Sequence, residues 1–373
     1  MNNKLSKNLF KDEMLLSMEF LPNPDKIINR YGKNYEVLRD LQSDPHVWSC
    51  IQSRKGGLLS MEYQISRSSN KENQLLIDEF FKNNDINKLI REILDSIYFG
   101  YSIIEIIWED GVKGLLPKSF LSRPQEWFSF SPDGDVYYTR GVNKQKVDNY
   151  KILLVNNESG LNNPYGNALL SKVYWSVKFK NSGLKYWVRY MEKYGLPVLL
   201  GQYKRGAKGE EIQNLLDSLV EMNEDSVIVT PSDIDIKINE SKSNSSIELY
   251  SGLIDFCNNE ISKALLSQTL TTELKSGSLA ASQTHFQIRK ELIDADVRLV
   301  EHSINELIKK IIDLNSANKE YPEFKYLQND AESFARLQRD KILSDSTNIM
   351  FNKNYWQKHY GLDENEFELE RNE

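Results

Sequence analysis

One stretch of this chain has the outward look of a catalytic loop: Leu-Lys-Ser-Gly-Ser at residues 274–278. A Walker-type phosphate loop cradles a nucleotide in backbone N–H groups, and it needs glycines one and six residues before the lysine, which for Lys275 are positions 274 and 269. Those positions hold Thr269 and Leu274, so the spacing is wrong for a nucleotide. The other reactive residue types are scattered. His46, His285, His302 and His359 show neither His-Glu-x-x-His nor any paired metal spacing. Glu291, Asp294 and Asp296 imitate a carboxylate cluster, but helix positions two apart point in different directions, so Asp294 and Asp296 are not expected to share an ion. Cys50 and Cys257 lack an identifiable partner histidine, and no Gly-x-Ser-x-Gly elbow occurs. On these residues an enzyme is the less favoured class, and no metal or cofactor is expected.

Two basic clusters remain. His285 and Arg289 lie one helical turn apart with Lys290 adjacent, and Lys204, Arg205 and Lys208 surround a Gly-containing turn. The plain reading of both is a solvated helix start and a hairpin kept soluble by charge. The alternative is contact with a polyanion or a partner protein.

The segment that holds the false phosphate loop, LLSQTLTTELKSGSLAASQTHFQIRK from Leu265 to Lys290, separates two long amphipathic stretches. Before it, Tyr250, Leu253, Ile254, Cys257, Ile261, Ala264 and Leu265 follow the i, i+3, i+4, i+7 spacing of one helical stripe; after it, Ile293, Val297, Val300, Ile304, Leu307, Ile308 and Ile311 do the same. A third stripe, Leu170, Val173, Tyr174, Val177, Leu184, Trp187, Val188 and Met191, predicts a helix from Ala168 to Tyr194. Its rings (Tyr174, Trp175, Phe179, Tyr186, Trp187, Tyr190, Tyr194) exceed what one stripe can hide, so some must meet another element or another subunit. Between the first two long helices, PVLLGQY, EEIQNLLDSLVEMN, SVIVTP and the period-two DIDIKIN predict a small βαββ module. Ser245 and Glu248 have capping-box spacing for the helix that follows.

Towards the start, Asp44-Pro45 predicts a helix opening, with a break at Gly56-Gly57 and a strand in LLSMEYQIS. Helices are expected in KENQLLIDEFFKNN and INKLIREILDSIYFG, strands in YSIIEIIWED and YKILLVNN, and a Pro-Asp-Gly turn between the two aromatic runs of FSFSPDGDVYY. Residues 30–160 thus read as an α+β domain. With 373 residues, 40% apolar, the chain is long enough for two or three cored units. Its 47 Lys+Arg against 54 Asp+Glu give a net charge of −7, so no overall basic field draws it onto nucleic acid. Two cysteines cannot build a disulfide framework, which fits a reducing compartment. No 18-residue apolar run or signal-peptide h-region occurs, so a soluble chain without a membrane span is expected.

Several stretches resemble the portal proteins of tailed phages, in their Mu-like branch: DPHVWSCIQSRKGGLLSMEYQI, LDSIYFGYSIIEIIWE, NPYGNALLSKVYWSVKFKNSGLKYWVRYMEKYGLPVLLGQY and QTLTTELKSGSLAASQTHFQIRKELIDAD, in that order. Together they cover most of residues 40–315, and FKYLQNDAESFARLQRDKILSDS is similar to the family's closing segment. The resemblance implies an α+β portal fold. It has an N-terminal arm (1–29), an α/β wing (30–167), a first stem helix (168–195), a small α/β clip (196–244), a second stem helix (245–268), a tunnel loop (269–282) and a long wing or tunnel helix (283–315). Residues 316–373 would return to the wing, with a small or absent crown.

It also implies a ring, typically of twelve subunits, at one capsid vertex of a virion, made in the host bacterial cytoplasm. Double-stranded DNA would pass through it without sequence preference. The tunnel loop, Thr271, Thr272, Glu273, Lys275, Ser276, Gly277 and Ser278, would face DNA, with His285, Arg289 and Lys290 nearby. Lys204, Arg205 and Lys208 would lie on a clip surface for the terminase large subunit and a head-completion or adaptor protein. Tyr174, Trp175, Phe179, Tyr186, Trp187 and Tyr190 would pack neighbouring stems, and major capsid and scaffolding proteins would be further partners. An interaction scaffold or a nucleic-acid-processing enzyme are the other classes the sequence leaves open.

Overall fold

The computed structural model describes residues 19–32, 34–111, 113–141, 143–160, 163–194, 199–222, 227–234, 243–269, 279–327, 337–344, 351–353 and 355–356. Short helices α1 (Lys26–Arg30) and α2 (Glu36–Arg39) lead into α3 (Pro45–Leu59). The Asp44 carboxylate accepts from the amides of His46 (2.9 Å) and Val47 (3.1 Å), satisfying two donors that a helix start leaves free. The expected break at Gly56-Gly57 does not occur, because α3 runs through both glycines. A Cβ on Gly57 would stand 2.6 Å from Ile293 Cδ1, so this glycine lets another helix approach closely, and that packing outweighs a propensity cost of about 1 kcal/mol. Since Leu58 and Leu59 are helical, the strand expected there shrinks to β1 (Tyr63–Ile65).

Helices α4 (Lys71–Asn83) and α5 (Ile86–Phe99) are capped by Asn70 and Asp85. At Gly100 (φ +91°) the chain turns directly from α5 into β2 (Tyr101–Gly111), and a Cβ there would lie 2.4 Å from the Tyr165 carbonyl oxygen. β2 is the middle strand of an antiparallel sheet in the order β3 (Gly114–Arg123), β2, β7 (Ile152–Asn156). Helix α5 lies on β2 and β7, and the long helix α9 (Leu279–Asn315) lies on β3 and β7. Their buried residues, Leu89, Ile90, Ile93 and Ile97 with Ile304, Leu307, Ile308 and Ile311, join Ile103, Ile104 and Leu153 in one core.

A second sheet, β4 (Phe128–Phe130), β5 (Val136–Tyr138) and β6 (Gln145–Lys146), turns at Gly134 (φ +88°), whose amide donates to the Ser131 carbonyl. Near the C-terminal end of the described chain, β10 (Phe324–Tyr326) pairs antiparallel with β1. The far edge of β10 is occupied by α9: the Asn305 side-chain amide bonds both the N–H (2.7 Å) and the carbonyl (3.0 Å) of Phe324, and Glu301 accepts from the Tyr326 amide (2.9 Å).

Away from this body run two long helices, α6 (Leu169–Tyr194) and α8 (Ser243–Leu266), packed against each other. Since α8 begins at Ser243, Ser245 lies inside it and not at the expected cap position. The chain between them forms β8 (Leu199–Tyr203), α7 (Gly209–Met222) and β9 (Val227–Pro231), with β8 and β9 parallel. α7 covers the pair so closely that a Cβ on Gly201 would meet Leu219 Cδ1 at 2.6 Å. Most of the period-two run expected as a further strand, residues 235–239, lies outside the described residues.

Candidate functional site

The α6–α8 pair changes character along its length. In the half nearest the sheets, Leu170, Val173, Tyr174 and Val177 of α6 and Cys257, Ile261, Leu265 and Leu266 of α8 are buried. Farther out, the same helical stripes come into the open: Leu184, Val188 and Met191 of α6 and Leu253 of α8 are exposed. Trp175 (46% exposed), Phe179 (56%) and Tyr186 (60%) also stand open on α6, and Leu249 (74%) and Phe256 (61%) on α8. Isolated exposed apolar residues are ordinary, but here they form two sets on opposite sides of α6, Trp175, Phe179 and Tyr186 on one and Leu184, Val188 and Met191 on the other, and such an accumulation marks contact surfaces. Trp175 stacks on Phe179 at 5.7 Å and carries the Arg30 guanidinium 5.4 Å from its ring centre, which extends the patch onto α1. The two helices meet where Gly183 faces Leu253, and Trp187 lies parallel to Tyr250 (6.3 Å, 9°). The Trp187 indole nitrogen is buried and has no acceptor among the described residues.

Among the described residues no group of three or more His, Cys, Asp or Glu side chains could hold a metal ion, and no described helix is long and apolar enough to cross a membrane. Burial pushes the thiols of Cys50 and Cys257 up, which keeps them protonated and poorly nucleophilic at neutral pH. A cleft of about 440 Å³ between the two sheets is lined by Glu105, Arg123, Trp127, Tyr138 and Lys146 among others. There Arg123 pairs with Glu105 (2.6 Å), and Lys146 reaches out to Asp135 (2.6 Å).

The family model described as the portal protein of Mu bacteriophage matches residues 35–362. The chain belongs to the Mu portal family. The portal protein of Escherichia phage Mu is 24% identical over 290 residues, covering 74% of this chain and 56% of its own length. The Mu-like prophage FluMu protein gp29 of Haemophilus influenzae is 25% identical over 328 residues, covering 84% and 61%. The chain therefore spans under two thirds of the length of these curated relatives. Among solved structures, a chain in the neck of an empty gene transfer agent particle, computed with C6 symmetry, superposes with a TM-score of 0.59 at 13% identity, over 92% of this chain and 95% of that one. At such identity the likeness is one of fold, and the fold is the α+β portal fold.

Within this Mu portal family chain the residues singled out by sequence fall in different settings. Trp175, Phe179 and Tyr186 stand exposed, whereas Trp187 and Tyr190 turn towards Tyr250 of α8. Tyr174 is buried in its own chain, its hydroxyl bonded to that of Tyr31 and its ring 5.7 Å from the Tyr31 ring; burial, then that bond, pushes its pKa up to about 12. Lys204, Arg205 and Lys208 are exposed around Gly206 (φ +97°), with Arg205 paired to Asp233 at 2.6 Å. Arg289 donates to the Ser53 carbonyl at 3.2 Å, and Lys290 is half-buried and partnered. His285 belongs to the backbone of α9, with its side chain outside the described set. Thr271, Thr272, Glu273, Lys275, Ser276, Gly277 and Ser278 lie outside the described residues.

Sequence reasoning did not find the polar contacts of α3. The signal was present in a weakly amphipathic helix whose Arg54 and Lys55 sit at buried positions.

Proposed function

We propose that this chain is a portal subunit, a structural protein and not an enzyme. Copies of it close into a ring, twelve being the family's usual number, at one vertex of a phage-type capsid. The ring is the conduit for double-stranded DNA in packaging and ejection. The observation that carries this reading is the large apolar side chains exposed along α6 and α8. A closed ring gives each copy two neighbours, and side-by-side packing of these helices would cover Trp175, Phe179, Tyr186 and Phe256.

In this assignment residues 30–167, with the returning 316–373, form the wing, 168–195 and 245–268 the stem, 196–244 the clip, 269–282 the tunnel loop and 283–315 the long helix behind it. The loop residues 271–278 touch DNA through small polar side chains and Lys275, and a chain carrying −7 net charge suits a conduit. Each phosphate neutralised by a cation releases counterions and adds salt-sensitive affinity, so a basic lining would hold DNA where it should slide. The exposed Lys204, Arg205 and Lys208 are the clip's candidates for docking the terminase large subunit and, later, a head-completion protein. Capsid and scaffolding proteins would meet the wing. The assembled protein belongs in the virion after synthesis in the host bacterial cytoplasm.

Negative-stain imaging of the purified protein tests the reading. Rings with a central hole are expected, and compact monomers at high concentration would sink it.

A further inference from the structure

Helix α3 and its cap carry an unusual density of buried polar contacts, and most of them reach α8 and α9, the helices that flank residues 270–278. At its start, Asp44 pairs with the buried Lys180 of α6 at 2.9 Å. One residue into the helix, His46 Nε2 lies 2.7 Å from the hydroxyl of Ser262 on α8. Farther along, Arg54 spreads its guanidinium between two elements. Its Nε and Nη2 donate to the two carboxylate oxygens of Asp296 on α9 at 2.6 and 2.7 Å, while Nη1 donates to the Leu265 carbonyl at 3.0 Å. Next to it, the Ser53 carbonyl receives Arg289 of α9, and the Gly57 notch receives Ile293.

The Leu265 carbonyl lies in the last turn of α8, where carbonyls have no partner within the helix and carry its negative dipole end. The chain leaves that turn at Ser267 (φ +56°), a left-handed conformation uncommon for a residue with a side chain. Arg54 and Asp296 are both more than nine-tenths buried. Stability alone does not require such a pair, since apolar residues of similar volume often serve as well or better. A planar fork has a property that apolar packing lacks: it fixes distance and direction to two partners at once.

We propose that Arg54 is the positioning residue for the segment between α8 and α9. By holding the end of α8 and the middle of α9 with one guanidinium, it sets the separation and direction of the two helices from which residues 270–278 depart. That the segment faces DNA rests on the portal reading. The clamp itself does not.

The test uses two full-length variants, R54M/D296M, which removes both charges, and R54K, which keeps the charge but cannot fork to two partners. Amide hydrogen exchange is followed over 261–268 and 287–296, alongside ring formation and DNA retained in assembled particles. In R54M/D296M, rings should form as in the parent, exchange at both sites should quicken by about tenfold or more, and DNA retention should fall by a similar factor. R54K should show the same changes to a smaller degree. Parental exchange at both sites overturns the proposal; parental DNA retention despite quickened exchange upholds the clamp and counts instead against contact of the segment with DNA. If R54M/D296M does not assemble, R54K decides alone by the same criteria. A parent protein that forms no ring defeats the portal reading instead, and the exchange data then still support or overturn the clamp.

Discussion

The inner and outer halves of α6 and α8 are built on the same sequence pattern and end in opposite environments. Val177 and Val188 belong to one stripe of α6, yet Val177 is buried beside the sheet-bearing body and Val188 is exposed; on the α8 stripe, Ile261 is buried and Leu253 exposed. The helical period therefore states that a face must be covered, and only the neighbouring elements decide by what. For the inner half the cover is the chain's own α3 and α5, and for the outer half the proposed ring leaves it to other copies.

Substitutions can break this contrast at either end. Val177→Asp places an unpaired carboxylate in the core and should cost roughly 3–5 kcal/mol of subunit stability, seen as a fall in the urea midpoint or loss of soluble protein. Gly57→Val forces a branched side chain where Ile293 Cδ1 would stand 2.6 Å from its Cβ. The cost should be about 1–3 kcal/mol, concentrated where α3 meets α9, and measurable by the same unfolding curve. Val188→Asp should change the unfolding free energy of the isolated subunit by no more than about 0.5 kcal/mol. It should still shift the sedimentation profile from rings to subunits. Equal destabilisation by Val177→Asp and Val188→Asp would remove the distinction between the two halves.

Much of the fold was legible because its signals are local. Asp44 caps α3 where Asp-Pro signals a helix start, and Pro132-Asp133-Gly134 turns the chain between β4 and β5. What could not be read depends on partners far along the chain. β1 is paired with a strand some 260 positions later, and α3 passes through two glycines because α9 needs the space. The aromatic surplus on α6 could be counted from sequence, but the separation of buried Tyr174 from exposed Trp175 depends on Tyr31 and Arg30, which only folding brings near. The direction rule parted Asp294 from Asp296 correctly, leaving the first exposed and the second buried. It gave no hint that a guanidinium 242 positions away would claim Asp296.

The side chains of Asn305 and Glu301 that fill the far edge of β10 bear on how copies of this chain can go wrong. A sheet growing head to tail through successive molecules needs two free, unlike edges on each, one to give and one to receive. With β10 already occupied, the β1–β10 ribbon offers at most one, so copies can join through it only like to like, and such growth halts at a pair. If copies gather into the proposed ring, two side chains on one helix thus close a route to fibres.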